Sequence, residues 1–121
     1  MLVGKVQFIS QNGEPKTVSL DVNKTETAME RTQGLLKKPA LNSNEGLWIS
    51  PCNSVHTFGM QYPLDIIYLN SKDQIRKITA NLKPRRVSAS WFARSVLELQ
   101  AGTAKQLNLA TGDTMKWIKN A

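Results

Sequence analysis

The sequence predicts an α+β fold: a compact, β-rich single domain whose strands can close into a partly open barrel. Three observations predict it. Short stretches of period-two alternation recur along the chain, separated by turns rich in Asn, Gly and Pro. Helical patterning is confined to a main helix near 24–37 and a short helix near 103–109. Finally, 121 residues with 40% hydrophobic and 21% charged side chains suit one domain (residues 1–121), and no linker, repeat or low-complexity stretch divides it.

Each element follows from local chemistry. Val6 and Phe8 share a face, Gln11-Asn12-Gly13-Glu14-Pro15 supplies a turn, and Val18, Leu20 and Val22 alternate with Ser19, Asp21 and Asn23. That is a hairpin with one buried face. Asn23, with Glu26 three residues on, is placed as the N-cap of the main helix. Along that helix Ala28, Met29, Thr32, Leu35 and Leu36 form an apolar stripe opposite Glu30. Lys37 and Lys38 suit the dipole of its last turn, and Pro39 ends it. Arg31 borders the stripe, so its stem lies on the core while its guanidinium seeks a carboxylate.

Gly46 to Ile49 reads as a short strand ended by Ser50-Pro51, and Cys52 to Pro63 as an irregular segment. Leu64 to Leu69 is apolar except for Asp65, a pattern of burial on both faces. Asn70 to Gln74 turns the chain, Ile75 to Ala80 returns it, and Lys83 to Arg86 is a loop. In the strand over Ser95 to Ala101, Leu97 and Leu99 face one way and Val96, Glu98 and Gln100 the other. Gly102 breaks it, a short helix covers Thr103 to Leu109, Thr111-Gly112-Asp113 turns, and Met115 to Ile118 is the last strand.

Sixteen Lys and Arg against nine Asp and Glu give a net charge of +7. A basic excess favours acidic partners, yet these charges are scattered; the tightest group is Lys83, Arg85 and Arg86. With one cysteine, Cys52, neither an intrachain disulfide nor a cysteine-rich zinc site can form. The N-terminus lacks a basic region followed by a long apolar run, and no window nears eighteen apolar residues. The expected address is cytoplasmic, with no membrane span. Phosphate-loop, dinucleotide, nucleophile-elbow and zincin motifs are missing, and no cofactor is expected.

Chemistry concentrates between Cys52 and Asp65. Cys52 and His56 are two metal-ligand types, with Asp65 or Met60 as a third, but their spacing matches no closed zinc motif, so no metal site is assigned. A Cys52–His56 nucleophilic pair is the enzymatic alternative, since an adjacent imidazole activates a thiol. Phe58, Met60 and Tyr62 are expected to pack in the core. Asp65 shares a strand face with Ile67 and Leu69, so its carboxylate needs a partner, for which Arg31 and Arg94 are the candidates. Trp48, Trp91, Phe92 and Trp117 are expected in the core; were Trp91 exposed beside Lys83, Arg85 and Arg86, it would stack on nucleic-acid bases.

Several segments in series carry a resemblance: Glu30-Arg31-Thr32-Gln33-Gly34-Leu35-Leu36; His56-Thr57-Phe58-Gly59-Met60; Pro63-Leu64-Asp65-Ile66-Ile67-Tyr68-Leu69; Val96-Leu97-Glu98-Leu99-Gln100-Ala101-Gly102; and Gly112-Asp113. Over about residues 25–118 they resemble the prokaryotic family called domain of unknown function 192. The resemblance implies a β-rich domain with a few short helices, and it implies no activity. Many members carry an export signal or lipid anchor; this N-terminus reads as neither. The helix motif, which usually closes with Gly-Leu-Met, closes here with Leu36, removing a thioether.

The function expected from these residues is a non-catalytic accessory module that binds a small ligand or a protein. The candidate ligand-binding residues are Arg31, Cys52, His56, Thr57, Met60 and Asp65. The alternatives are an enzyme using Cys52 and His56, metal-assisted or not, and nucleic-acid binding through Lys83, Arg85, Arg86 and Trp91.

Overall fold

Along the chain run β1 (Leu2–Ile9), β2 (Leu20–Lys24), α1 (Ala28–Gln33), β3 (Glu45–Ile49), β4 (Ser54–His56), β5 (Leu64–Leu69), β6 (Ile75–Leu82), β7 (Val87–Ala89), β8 (Ser95–Gln100), α2 (Thr103–Gln106) and β9 (Thr114–Lys119). The structure is a computed structural model that describes residues 1–16, 19–35 and 40–120. Seven strands form one sheet in the order β6-β5-β8-β3-β2-β1-β9, antiparallel except between β2 and β3. A parallel pair needs a crossover, and the segment containing α1 provides it.

The sheet curls into a half-barrel. Its two edge strands meet at one end, where Gln74 bridges Thr114 and the N–H groups of Ile75 and Met115 donate to the carbonyls of Asp113 and Asp73, both at 2.8 Å. This is the partly open barrel that the strand pattern predicts.

Alternation sorts the side chains. The concave face holds Val6, Phe8, Leu20, Val22, Trp48, Ile67, Leu69, Leu97, Leu99 and Met115, closed at one end by Ala104 and Leu109. The opposite face of β3, β5 and β8 carries Leu47, Ile49, Leu64, Ile66, Tyr68 and Val96, with Leu35, Val55, Met60 and Tyr62 packed over it. Because β5 lies between β6 and β8 with both faces covered, all six of its residues are buried, as its apolar run predicts.

Several expectations are corrected. α1 spans six residues, not the stretch near 24–37; its N-cap is Thr27, not Asn23, and Thr27 and Glu30 form a full capping box. Asn23 is unavailable because it lies in β2, paired with Val3 of β1 and Leu47 of β3. Met29, placed on the apolar stripe, is 70% exposed, because so short a helix ends at Gly34 before it can lay a stripe on the sheet. Val18 of the hairpin, and Leu36, Lys37, Lys38 and Pro39 of the helix end, lie outside the described residues. The segment expected to be irregular contains β4, which pairs with β7 as a separate two-stranded ribbon. Three-residue strands are too short to show alternation.

Candidate functional site

Between α1, the β4–β7 ribbon and the outer face of the sheet lies a cavity of about 280 Å³. Separate segments build it: Arg31 and Gly34 from the end of α1, Leu35 after it, Ile49 from β3, Leu64 from β5, Glu98 from β8, and Cys52, Val55, His56 and Met60 from the ribbon and its flanks. Its size falls at the low end for small-molecule sites. Four of the six candidate ligand-binding residues, Arg31, Cys52, His56 and Met60, converge on it.

Asp65 does not. It points to the concave side, the opposite face from Leu64, and accepts three backbone N–H groups: Asn81 at 2.8 Å, Gly102 at 3.0 Å and Ala104 at 2.9 Å. Gly102 and Ala104 belong to the first turn of α2, whose amides have no intrahelical acceptor. Asp65 thus serves as a remote cap for α2 and fixes Asn81, held at φ +52°, in β6. The expected ion pair with Arg31 or Arg94 is replaced by these amides, which satisfy a carboxylate equally well.

Thr57 is buried but faces away from the cavity. Its hydroxyl donates to Lys83 O at 2.6 Å and accepts from Arg86 N–H at 2.9 Å. It therefore clamps the basic loop. Lys83, Arg85 and Arg86 are exposed there, with Arg85 at φ +63°. Trp91 and Phe92, expected in the core, are 79% and 91% exposed on the β7–β8 turn, and Phe58 is 52% exposed beside the His56 ring. Trp91 and Phe92 are the central residues of the turn that the Ala93 N–H closes on Ser90 O at 2.9 Å, a position that turns side chains outward.

The residue that sequence reasoning missed is Glu98. It is 5% exposed, and among the described residues its Oε1 has no hydrogen-bond partner. In the sheet it sits between Leu47 of β3 and Ile66 of β5, so its flanks are aliphatic. Burial pushes its carboxyl from 4.5 up to about 7. The available signal was the one that drew attention to Asp65: an acid in a strand with otherwise apolar neighbours.

Cys52 donates its thiol to Ser54 O at 3.1 Å. Burial pushes the thiol up, Glu98 adds to this, and the Arg31 guanidinium opposes it. A thiol held protonated is a poor nucleophile. Cys52 and His56 line one cavity, but no hydrogen bond between them occurs among the described residues. Nor do three His, Cys, Asp or Glu side chains gather there as a metal cluster among the described residues.

A curled, mostly antiparallel half-barrel with a covered outer cavity defines a small β-rich α+β module. The chain belongs to the DUF192 family, described as uncharacterized ACR, whose sequence profile matches residues 8–117. Among solved structures, it is similar to a candidate transcription regulator from Sinorhizobium meliloti 1021, with 25% identity, TM-score 0.85, and 95% of this chain and 93% of that one covered. It also shares its fold with a protein of unknown function from Novosphingobium aromaticivorans DSM 12444, with 23% identity, TM-score 0.82, and 95% and 85% covered. Among curated proteins, none matches the chain. No helix among the described residues is long and apolar enough to cross a membrane.

Proposed function

We propose that this protein is a non-catalytic module that binds a small ligand in the cavity between α1, the β4–β7 ribbon and the sheet. One observation carries the reading: a buried carboxyl oxygen without a hydrogen-bond partner among the described residues, Glu98 Oε1, lines a cavity together with Arg31, Cys52, His56 and Met60. A buried polar atom left unsatisfied costs about 1–3 kcal/mol, which a ligand donating to it recovers. The remaining lining is largely aliphatic, as in sites where a few polar groups orient a ligand.

The test is a thermal-shift panel of metabolites, nucleotides and metal ions, followed by NMR of Met60 and His56. A ligand at a hundred times its dissociation constant adds about 2.7 kcal/mol. That raises the midpoint of a domain this size by several degrees. A binder that leaves the Met60 methyl and the His56 ring unperturbed refutes the cavity as its site.

A second reading has its own support. Trp91 is exposed, as are Lys83, Arg85 and Arg86 at the other end of β7, and the similar Sinorhizobium meliloti protein is described as a candidate transcription regulator. Nucleic-acid binding there predicts affinity falling steeply with salt and lost in Arg85→Ala/Arg86→Ala. Salt-independent binding, or none, removes it.

A further inference from the structure

Among the described residues, two charged groups, Glu98 and Arg31, line the cavity without an ion-pair partner. Glu98 forms its floor, with Oε1 unpaired, and a Cβ added at Gly34 would come within 3.6 Å of that oxygen. Gly34, whose φ of +50° and ψ of −122° exclude side chains, therefore leaves the approach to the carboxyl open. Arg31 stands toward the end of α1, and among the described residues no carboxylate lies within ion-pair distance of its guanidinium; the acids in ion pairs there are Asp21, Glu26, Glu30 and Asp113. No hydrogen bond or ion pair joins Arg31 to Glu98. Cys52 is within electrostatic reach of both, and they act on its thiol in opposite directions.

The cavity is thus acidic at its floor and basic at its rim. A cation alone satisfies the floor, an anion alone satisfies the rim, and a molecule bearing both satisfies each. We propose, resting on the ligand-binding reading above, that the cavity takes a small zwitterion whose ammonium nitrogen meets Glu98 and whose anionic group meets Arg31. The cavity's about 280 Å³ limits the ligand to metabolite size.

The proposal fixes the sign of a pH dependence. An ammonium group binds the carboxylate form of Glu98, so affinity rises as pH climbs through about 7, where burial has placed that carboxyl. Among the described residues the titratable groups around Glu98 are few. α1 presents Arg31, the flanking segments present Cys52 and Tyr62, β5 presents Tyr68, and β3 presents only Leu47 and Ile49. The Cys52, Tyr62 and Tyr68 hydroxyl or thiol groups are all pushed above their ordinary values, away from this window. His56 stands at the rim on β4 and is controlled for separately.

Calorimetry of the full chain against unbranched ω-amino acids, from glycine to 6-aminohexanoate, tests this, with the matching alkylamines, alkyl carboxylates and N-acetylated amino acids alongside. At least one chain length should bind about tenfold or more tightly than its single-ended analogues. Glu98→Gln should weaken it about thirtyfold or more, as expected for loss of a buried charge partner. Arg31→Met, nearer solvent, should weaken it about fivefold. Affinity should rise between about pH 6 and pH 8. That rise should persist in His56→Asn and vanish in Glu98→Gln. No binding by any member, equal binding to Glu98→Gln, or affinity that is flat or falling with pH in the parent protein overturns the proposal; the last needs no variant to fold. An uncharged ligand that perturbs Met60 and His56 overturns the zwitterion and leaves the cavity reading standing. If no small molecule perturbs them, both fall.

Discussion

Replacing Glu98 with glutamine keeps the shape of the buried side chain and deletes its titration. Burial moves this carboxyl from 4.5 to about 7. Between those pH values the folded protein retains a proton that the unfolded chain has released. The unfolded state then binds fewer protons, so stability falls as pH rises through the window. Each pH unit weighs about 1.4 kcal/mol, and the window therefore costs the native state about 3 kcal/mol, all of it lost by about pH 7 and none recovered above. The amide escapes this cost but leaves buried N–H groups unpaired, a penalty of about 1 kcal/mol or more. The variant should match or fall below the parent near pH 5 and exceed it by about 1–2 kcal/mol near pH 8. Urea unfolding of both proteins across this range, read as their difference, cancels titrations elsewhere in the chain. A difference that does not change with pH would refute the claim that Glu98 is buried without a partner.

Other expectations are more local. Asp65→Ala strands three backbone N–H donors and should cost about 3–5 kcal/mol by urea unfolding; a loss under about 1 kcal/mol would show that water replaces the carboxylate. Gly34→Ala forces a side chain into a backbone conformation reserved for glycine. It should cost about 1–3 kcal/mol and weaken any cavity ligand, read by thermal melting and calorimetry. Cys52, protonated and half-buried, should react with iodoacetamide more slowly than a free cysteine at neutral pH, by mass spectrometry; faster reaction would return the nucleophile reading to contention.

The sheet was legible because most of its strands are long enough to alternate, and because β5, covered on both faces, reads as a continuous apolar run. The β4–β7 ribbon was not legible: three residues per strand carry no period, and its pairing joins positions about thirty apart. The start of α1 was misplaced because Asn23 and Thr27 each precede a glutamate by three residues. Only the pairing of Asn23 in β2 decides between them. Arg31, Cys52, His56 and Met60 were identifiable as chemistry-bearing types near one segment. That they converge required knowing that the ribbon folds over the outer face of the sheet.

The harder distinction was between two acids in buried strands. Asp65 stands near a strand end, beside an irregularity in the β5–β6 pairing and opposite the first turn of α2. Both features release N–H groups from ladder and helix, and Asp65 collects three of them. Glu98 lies mid-strand, with β3 paired on one side and β5 on the other. The amides around it are committed to those ladders, so the backbone has no donor to spare for its carboxyl. An acid at the end of a buried strand can be architecture, because chain ends and bulges free donors to hold it. An acid in the middle of one lacks that supply and must take its partner from another side chain, from solvent or from a ligand. At Glu98 the cross-strand neighbours are Leu47 and Ile66, and the open direction leads into the cavity.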